Sequence, residues 1–328
     1  MNTSSDLSSS LISRRIFAAG LVSAPAWSLP AWVQAQALPK EVRIGYQKGS
    51  AVLLLDRRTQ AIEQRLKALG VQQLKWVEFQ FGPPMLEALG AGAIDVGSVG
   101  DTPPIFAQAG QAQLVYAAAS PSSQHAVLVP KDSPIQTLAD LKGKKVAFGK
   151  GSSAHNVAIK ALASAGLQLN DIQQVFLSPA DATAAFNGGN IDAWVVWDPF
   201  FAIAQQRYGA RALADTQSQP SLSSASYYMA SASFARQYGH VLSEILQSLR
   251  QTTHWASAHR DELVQLAAQD TGLDPQAWRV AYGRAQLDLQ PVSEQHIAQQ
   301  QQLADRFHQL GIIPRALQVK DIVWNWPV

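Results

Sequence analysis

The chain has 328 residues, 47% of them hydrophobic and 15% charged, and its formal net charge at pH 7 is +2. This length and apolar content predict two domain-sized units with a substantial core, and the near-neutral charge argues against a nucleic-acid partner. The sequence contains no cysteine, which excludes thiol catalysis, disulfides, thiolate metal ligands and a lipid-anchored N-terminal cysteine.

The first 37 residues have the pattern of an export signal. An arginine pair at 14–15 precedes an apolar stretch, and residues 35–37 have the A-x-A form of a cleavage site. The arginine pair also fits the twin-arginine export pattern, so the export route stays open between the two systems. A membrane anchor is disfavoured because two prolines interrupt the stretch, which is short for a span of ~20 residues. We predict a mature protein that lies outside the cytoplasm and whose signal is cleaved near Ala37.

A strand-turn-helix unit occurs twice in the rest of the sequence. "VRIGYQKGSA" (42–51) is followed by a helical pattern that ends at Gly70, and a comparable unit, "VAFGKGSSA", begins at Val146 and leads into a helix that ends at Gly166. Each unit predicts a short buried strand, a glycine, a small polar turn and a helix. The chain therefore contains an internal repeat.

A second pair of segments, 87–107 and 184–204, aligns without gaps. Each predicts a helix, a glycine turn, a strand, and an aspartate followed by proline at the start of a new helix, which is a favoured capping pattern. A repeat spacing of about one hundred residues is too long for a solenoid and indicates two duplicated α/β lobes. Ligands of such sheets bind beside helix N-termini, so we predict a two-lobed clamp whose four helix starts face one cleft.

The two Ser- and Gln-rich segments 120–134 and 214–226 are predicted to cross between the lobes. The strongly helical pattern from about 231 to 310 predicts helices that cover the first lobe. The predicted division of the mature chain is 38–124 plus 227–328 for lobe 1 and 125–226 for lobe 2.

The stretch "GKGSSAHN" (149–156) has three interpretations. A phosphate-binding loop requires lysine directly after its second glycine, but here the lysine lies between the two glycines. The nucleophile elbow G-x-S-x-G occurs nowhere in the chain, and His155 is too close in sequence to the two serines to suit a catalytic triad. An anion cup at a helix N-terminus requires only open N–H groups and small hydroxyls, and this interpretation is favoured.

Five stretches of the sequence resemble the aliphatic sulfonate-binding proteins of ABC importers, relatives of the taurine- and nitrate-binding proteins. They are "IGYQKGS", "VGDTPPIFAQA", "PKDSPI", "LKGKKVAFGKGSSAHN" and "AFNGGNIDAWVVWDPF". The resemblance is specific from about Val42 to Phe201 and looser from there to the C-terminus. It implies an α/β periplasmic binding protein of type II-like fold, in which two mixed sheets flanked by helices close on an alkanesulfonate. It also implies delivery of that ligand to an ABC permease and its ATPase.

Ligand-binding residues are expected at the helix starts, where neutral donors can satisfy a sulfonate without a buried arginine. The predicted set is Gln47, Lys48, Gly49, Ser50, Asp101, Thr102, Ser152, Ser153, Ala154, His155, Trp197, Asp198 and Tyr227.

Several roles within this set stay open. Asp101 and Asp198 are favoured as helix caps over ligand contacts, because a carboxylate repels a sulfonate, but an amine-bearing ligand such as taurine would reverse this. Trp197 either covers an alkyl or aryl tail or packs in the core, and Tyr227 and Tyr228 either form a wall or contact the ligand. His155 either joins the anion site or is a solvated histidine. Asp95 and Asp192, which follow the glycine turns, are predicted to be structural.

The leading hypothesis is a monomeric transport protein with no cofactor, no metal, no nucleic-acid partner and no catalytic residue. Its only contact with the membrane is through the permease. Histidines elsewhere, including His125, show no metal-ligand spacing. A taurine-, nitrate- or sulfate-binding protein of the same family is the first alternative. An enzyme on this fold is less favoured, because related desulfurising enzymes use a cysteine that this chain lacks.

Overall fold

The computed structural model describes residues 37–327. The first of its two five-stranded sheets contains β1 (Glu41–Tyr46), β2 (Gln73–Glu78), β3 (Val96–Gly100), β4 (Leu114–Pro121) and β10 (Ala225–Ser231). Their order across the sheet is β2-β1-β3-β10-β4. Strand β1 runs parallel to β2 and β3, whereas β10 runs antiparallel to both β3 and β4, so the sheet is mixed.

The second sheet has the same arrangement. It contains β5 (His125–Val129), β6 (Lys145–Phe148), β7 (Gln173–Phe176), β8 (Ala193–Trp197) and β9 (Arg211–Asp215). Their order is β7-β6-β8-β5-β9, with β6 parallel to β7 and β8, and β5 antiparallel to β8 and β9. The predicted α/β fold with two mixed sheets is confirmed.

Helices flank both sheets. They are α1 (Ala51–Thr59), α2 (Ala61–Leu69), α3 (Gly82–Gly90), α4 (Thr102–Ala109), α5 (Ser153–Ser164), α6 (Pro179–Asn187), α7 (Phe200–Tyr208), α8 (Ala232–Gln237), α9 (Gly239–Ala258), α10 (Arg260–Thr271), α11 (Pro275–Arg284) and α12 (Glu294–Gln309). Short 3-10 helices occupy Leu138–Leu141, Leu169–Asp171, Pro220–Leu222 and Val319–Ile322. No helix within residues 37–327 is both long and apolar enough to cross a bilayer.

The repeat is visible as an aspartate that makes the same backbone hydrogen bonds in both sheets. Asp95 precedes β3 and exchanges two hydrogen bonds with the backbone of Arg43 on β1, donating its N–H over 2.8 Å and accepting on its carboxylate over 2.8 Å. Asp192 precedes β8 and makes the same pair with Lys145 on β6, at 2.9 and 2.7 Å. The structural role predicted for both aspartates is confirmed: each aligns a strand with its parallel neighbour.

The chain crosses between the sheets twice, after β4 and before β10. The predicted boundary at 124/125 falls directly before β5, whereas the boundary at 226/227 places the first two residues of β10 in lobe 2. The division itself stays a prediction. The predicted export signal lies outside the described residues, except for Ala37.

The C-terminal helices do more than cover the first sheet. Helix α9 packs on α1 and α2, as the helical pattern predicts, but α11 also packs on α7, which follows β8 of the second sheet. Trp278 on α11 is fully buried in an apolar cluster that includes Leu55 of α1 and Ala202 of α7. The α10–α11 pair therefore contacts helices that belong to both sheets.

The duplicated aspartates provide a matched stability test. Asp95→Ala should lower the free energy of unfolding by about 2–3 kcal/mol, because buried Asp95 also accepts from the Arg43 guanidinium, at 2.8 Å from Nη2. Asp192→Ala should cost about 1 kcal/mol, because it removes a single hydrogen bond at a half-buried position. Urea unfolding of the two variants measures both values, and equal losses would contradict this account.

Candidate functional site

A cavity of about 160 Å³ is lined by residues from both sheets. Each of the four predicted helix starts contributes to its wall: Ser50 before α1, Pro103 in α4, Ser153 at the start of α5, and Asp198 before α7. The turn segments that follow the strands of the two sheets therefore meet around one space, as the repeat predicts.

About half of the residues predicted to bind ligand line this cavity. The lining includes Gln47, Gly49, Ser50, Ser152, Ser153, Trp197 and Asp198. The structure places Lys48, Asp101, Thr102, Ala154, His155 and Tyr227 outside the lining. Their side chains have other surroundings, each for a physical reason, although the backbone N–H of Ala154 has no acceptor among residues 37–327. Ligand binding by the predicted set stays a prediction.

Asp101 and Thr102 belong to a buried hydrogen-bond network behind the wall. The Asp101 carboxylate accepts from the Thr102 hydroxyl at 2.9 Å and from the Asn156 amide at 2.6 Å, and Gln300 donates to its backbone carbonyl. It accepts no helix N–H, so the predicted capping role of Asp101 is wrong. Burial raises the pKa of Asp101, and its hydrogen bonds oppose that shift. This network joins the start of α4 to α5.

His155 is a core residue. Its ring stacks 5.0 Å from Phe148 and 6.3 Å from Phe106, and its Nδ1 accepts from the Gly151 N–H at 3.4 Å. Burial lowers the pKa of His155 to about 4, so the ring is neutral at physiological pH. Ala154 is likewise fully buried, whereas Lys48 is exposed to solvent.

The structure separates the two neighbouring tyrosines, Tyr227 and Tyr228. Tyr227 is buried against Tyr116, with ring centroids 4.9 Å apart, and its hydroxyl donates to the His296 carbonyl at 3.4 Å. Its neighbour Tyr228 lines the cavity. Successive side chains of a strand point to opposite faces, so only one of these two neighbouring tyrosines can face the cavity.

Asp198 is held by an arginine that the motifs did not indicate. Arg284 of α11 donates from Nη2 and Nε to the two carboxylate oxygens of Asp198, at 2.6 and 2.7 Å, and its guanidinium lies 3.7 Å from the centroid of the Phe201 ring. Asp198 also accepts the Ala202 N–H at 3.1 Å, which confirms its predicted contact with the start of α7. Burial raises the pKa of Asp198, and the Arg284 hydrogen bonds and charge oppose this.

The hydroxyl groups at the start of α5 have different partners. Ser152 donates to the Gly149 carbonyl at 2.7 Å, whereas the Ser153 hydroxyl lies 2.8 Å from Nε2 of His125 on β5. Sequence reasoning tested His125 only for metal-ligand spacing and missed this contact, because the two residues are 28 positions apart.

Two glycines allow the opposite walls to approach each other. A Cβ at Gly49 would lie 3.2 Å from the Asp198 carbonyl oxygen, and a Cβ at Gly100 would lie 2.7 Å from the Cβ of Ser153. Any side chain at Gly100 would therefore collide with the start of α5. The closeness of the walls depends on these two positions.

Comparison with known proteins places the chain in a family. The sequence model described as "ABC transporter, phosphonate, periplasmic substrate-binding protein" matches residues 55–223. A protein of Escherichia coli (strain K12) named as an aliphatic sulfonates-binding protein is 40% identical over 311 residues, which cover 94% of each chain. The chain therefore belongs to this family of periplasmic substrate-binding proteins of ABC transporters.

Two solved structures agree with this assignment over the described fold. The alkanesulfonate-binding protein SsuA from Xanthomonas axonopodis pv. citri, bound to MOPS, superposes with a TM-score of 0.83 at 38% identity, covering 88% of this chain and 99% of that chain. The periplasmic aliphatic sulphonate binding protein SsuA from Escherichia coli superposes with a TM-score of 0.78 at 39% identity, covering 88% and 94%. The resemblance read from the five sequence stretches is confirmed.

The neutral core position of His155 predicts a pH effect on stability. Its pKa is lowered from 6.5 to about 4 in the folded protein, so the unfolded chain binds the extra proton between these values and stability falls as the pH falls through that window. In His155→Leu, the loss of unfolding free energy between pH 7 and pH 5 should be smaller by roughly 2 kcal/mol. Chemical denaturation at both pH values measures this, and an unchanged pH dependence would contradict the assignment.

Proposed function

We propose that the protein binds an aliphatic sulfonate in this cavity and delivers it to the permease and ATPase of an ABC importer. One observation carries the proposal: neutral hydrogen-bond donors at helix starts from both lobes converge on a cavity that also has aromatic walls. The similarity to the two SsuA proteins supports the same ligand class. A sulfonate has one negative charge, three acceptor oxygens and an apolar tail, and both halves of the cavity suit it.

The anion end is supported by unused donors. Within residues 37–327, the amide N–H groups of Ser153 and Ala154 at the start of α5 have no hydrogen-bond acceptor. The hydroxyl of Ser50 accepts from the Gln47 N–H at 3.3 Å, which leaves its own hydrogen for a ligand. Gln47 donates one amide hydrogen to the Ser98 carbonyl at 2.8 Å and keeps a second. These groups, with the dipoles of α1 and α5, favour an anion.

The tail end is supported by aromatic and aliphatic walls. Trp197 is half-buried, and Tyr228, Trp278, Tyr282 and Leu287 lie on the same lining. Each methylene that these side chains remove from water contributes about 0.8 kcal/mol. An alkyl chain would therefore add affinity in proportion to its length until the cavity is filled.

The ion pair of Asp198 argues for an alkyl ligand over taurine. An ammonium group requires a carboxylate that can turn toward it, but both oxygens of Asp198 are engaged by Arg284. The pair also removes Arg284 as a partner for the sulfonate. A small inorganic anion such as nitrate or sulfate would leave the aromatic wall without a contact.

We also propose that the protein is not an enzyme. Ser153 and His125 form a hydroxyl–imidazole contact, but a backbone carbonyl, that of Ser123, takes the place of the usual orienting carboxylate at 2.7 Å. The pKa of His125 is lowered to about 4 by burial, which makes the imidazole a weak general base at neutral pH. We further propose a monomer in the periplasm, released by cleavage near Ala37.

A chain-length series tests the ligand class. Isothermal titration of residues 38–328, stripped of carried-over ligand, should give affinities that rise about threefold to fourfold per methylene from methanesulfonate toward hexanesulfonate. Trp197→Ala should flatten this slope and leave methanesulfonate within about threefold of wild type. Sulfate and nitrate should bind weakly, and benzenesulfonate tests aromatic tails. Tighter binding of sulfate or nitrate than of hexanesulfonate, or no binding of any sulfonate, would overturn the proposal.

The Arg284 pair gives a specificity test with matched ligands, taurine and ethanesulfonate, which differ by the amino group. Arg284→Met frees the Asp198 carboxylate at the cavity wall, so the ratio of taurine to ethanesulfonate affinity should rise by about tenfold or more. The control is Arg284→Met with Asp198→Asn, which should return the ratio to the wild-type value. A ratio that does not change in the single variant would show that Asp198 has no part in discrimination.

A further inference from the structure

His125 is buried within the second sheet but reaches the cavity through one serine. It is 2% exposed, and its ring contacts polar atoms on both edges. Nδ1 lies 2.7 Å from the Ser123 carbonyl oxygen, and Nε2 lies 2.8 Å from the Ser153 hydroxyl. Ser153 is half-buried and lines the cavity, so its hydroxyl connects the buried imidazole to the cavity.

The partners of His125 determine which way the Ser153 hydroxyl hydrogen points. A carbonyl oxygen can only accept, so Nδ1 must carry a hydrogen. In a neutral ring Nε2 then has a lone pair, and it accepts the Ser153 hydrogen. The Ser153 oxygen consequently presents lone pairs to the cavity, an arrangement that repels an anion. If His125 gains a proton, Nε2 donates to the Ser153 oxygen and the serine hydrogen is released toward the cavity.

We propose that capture of an anion at Ser153 is coupled to uptake of one proton by His125, which makes His125 a positioning residue for the ligand. This inference rests on the proposed function, because it requires a sulfonate oxygen beside Ser153. The protonated ring contributes twice: it reverses the Ser153 hydroxyl from acceptor to donor, and it adds a positive charge behind it. The ligand and the proton therefore favour each other's binding.

The charges around His125 in the free protein do not favour its protonation, so the proton uptake depends on the ligand. Burial lowers the pKa of His125 to about 4, and the positive charge of Lys160 adds to the shift, so the free protein holds the ring neutral. Other charged or titratable groups on the elements packed against β5 are His155 on α5, Arg211 and Asp215 on β9, and Arg207 and Tyr208 on α7.

Two of the nearby carboxylates are already engaged. Asp215 accepts from the Gln217 and Ser218 N–H groups, at 2.9 and 2.7 Å, and Asp198, directly after β8, pairs with Arg284. An anion beside Ser153 would therefore be the counter-charge that the buried ring lacks.

The test is the pH dependence of hexanesulfonate binding by the whole mature chain. The dissociation constant should be about tenfold lower at pH 5 than at pH 7.5, because the ligand stays a monoanion and only the protein gains a proton. Titrations in two buffers of different ionisation enthalpy should report proton uptake that increases toward one per ligand as the pH falls. A merely structural role for His125 would not produce either signal.

Two variants test the contact between His125 and the Ser153 hydroxyl. His125→Gln replaces the ring with an amide that can donate to Ser153 at every pH, so binding should persist without pH dependence or proton uptake. Ser153→Ala breaks the link and should bind more weakly, also without pH dependence, and it serves alone if His125→Gln does not fold. His155→Leu is the matched control: its ring also has a pKa near 4 but lies outside the cavity, so the wild-type pH profile should remain.

The outcomes separate this inference from the proposed function. Sulfonate binding with the same dissociation constant at both pH values and no proton uptake overturns the coupling and leaves the ligand class intact. A pH dependence of binding that persists in Ser153→Ala also overturns the coupling, because the proton would then act through a group other than the Ser153 hydroxyl. Failure of the wild-type protein to bind any sulfonate at either pH overturns the proposed function itself.

Discussion

The loss of hydration by a buried anion is the constraint on which the proposed site depends. A sulfonate that enters a closed cleft loses water, and an unpaired charge buried to replace that water would itself be costly. In the proposed site this constraint is met by helix starts, where the N–H groups of Ser153 and Ala154 are open because no preceding turn exists to accept them. The strongest charges at the wall, Asp198 and Arg284, neutralise each other, and the hydrogen-bonded carboxylate of Asp101 lies behind it.

Duplication explains why two lobes present such similar surfaces. Equivalent aspartate hydrogen bonds align β3 with β1 and β8 with β6, so the turns that leave these strands have equivalent positions in both lobes. Gly49 and Gly100 then allow backbone from one lobe to lie against the other. The lobes are not interchangeable, however. Arg284 reaches Asp198 from the C-terminal helices, and the first lobe has no tryptophan at the position equivalent to Trp197, where Gly100 stands.

Local pattern predicted the architecture and the positions of the helix starts, because strand-turn-helix units and capping residues are encoded within about ten neighbouring residues. It could not predict contacts between distant elements. The position of His155 beside two serines predicts a ligand contact, yet on α5 its ring packs in the core, while His125 meets Ser153 from strand β5. Arg284 lies in an ordinary amphipathic helix, and only the packing of α11 on α7 brings it to Asp198.

In the proposed coupling, recognition, protonation and lobe contact all involve the single residue Ser153. Its hydroxyl lies beside His125 within its own lobe, and its Cβ fills the space that a side chain at Gly100 of the other lobe would need. When the lobes are apart, water can satisfy this hydroxyl whichever way its hydrogen points. When they close, the remaining partners are the imidazole and the ligand, so the hydroxyl must donate to one of them. A coupling between closure, anion and proton then needs no pathway through the protein, because all three act on the same hydrogen bond.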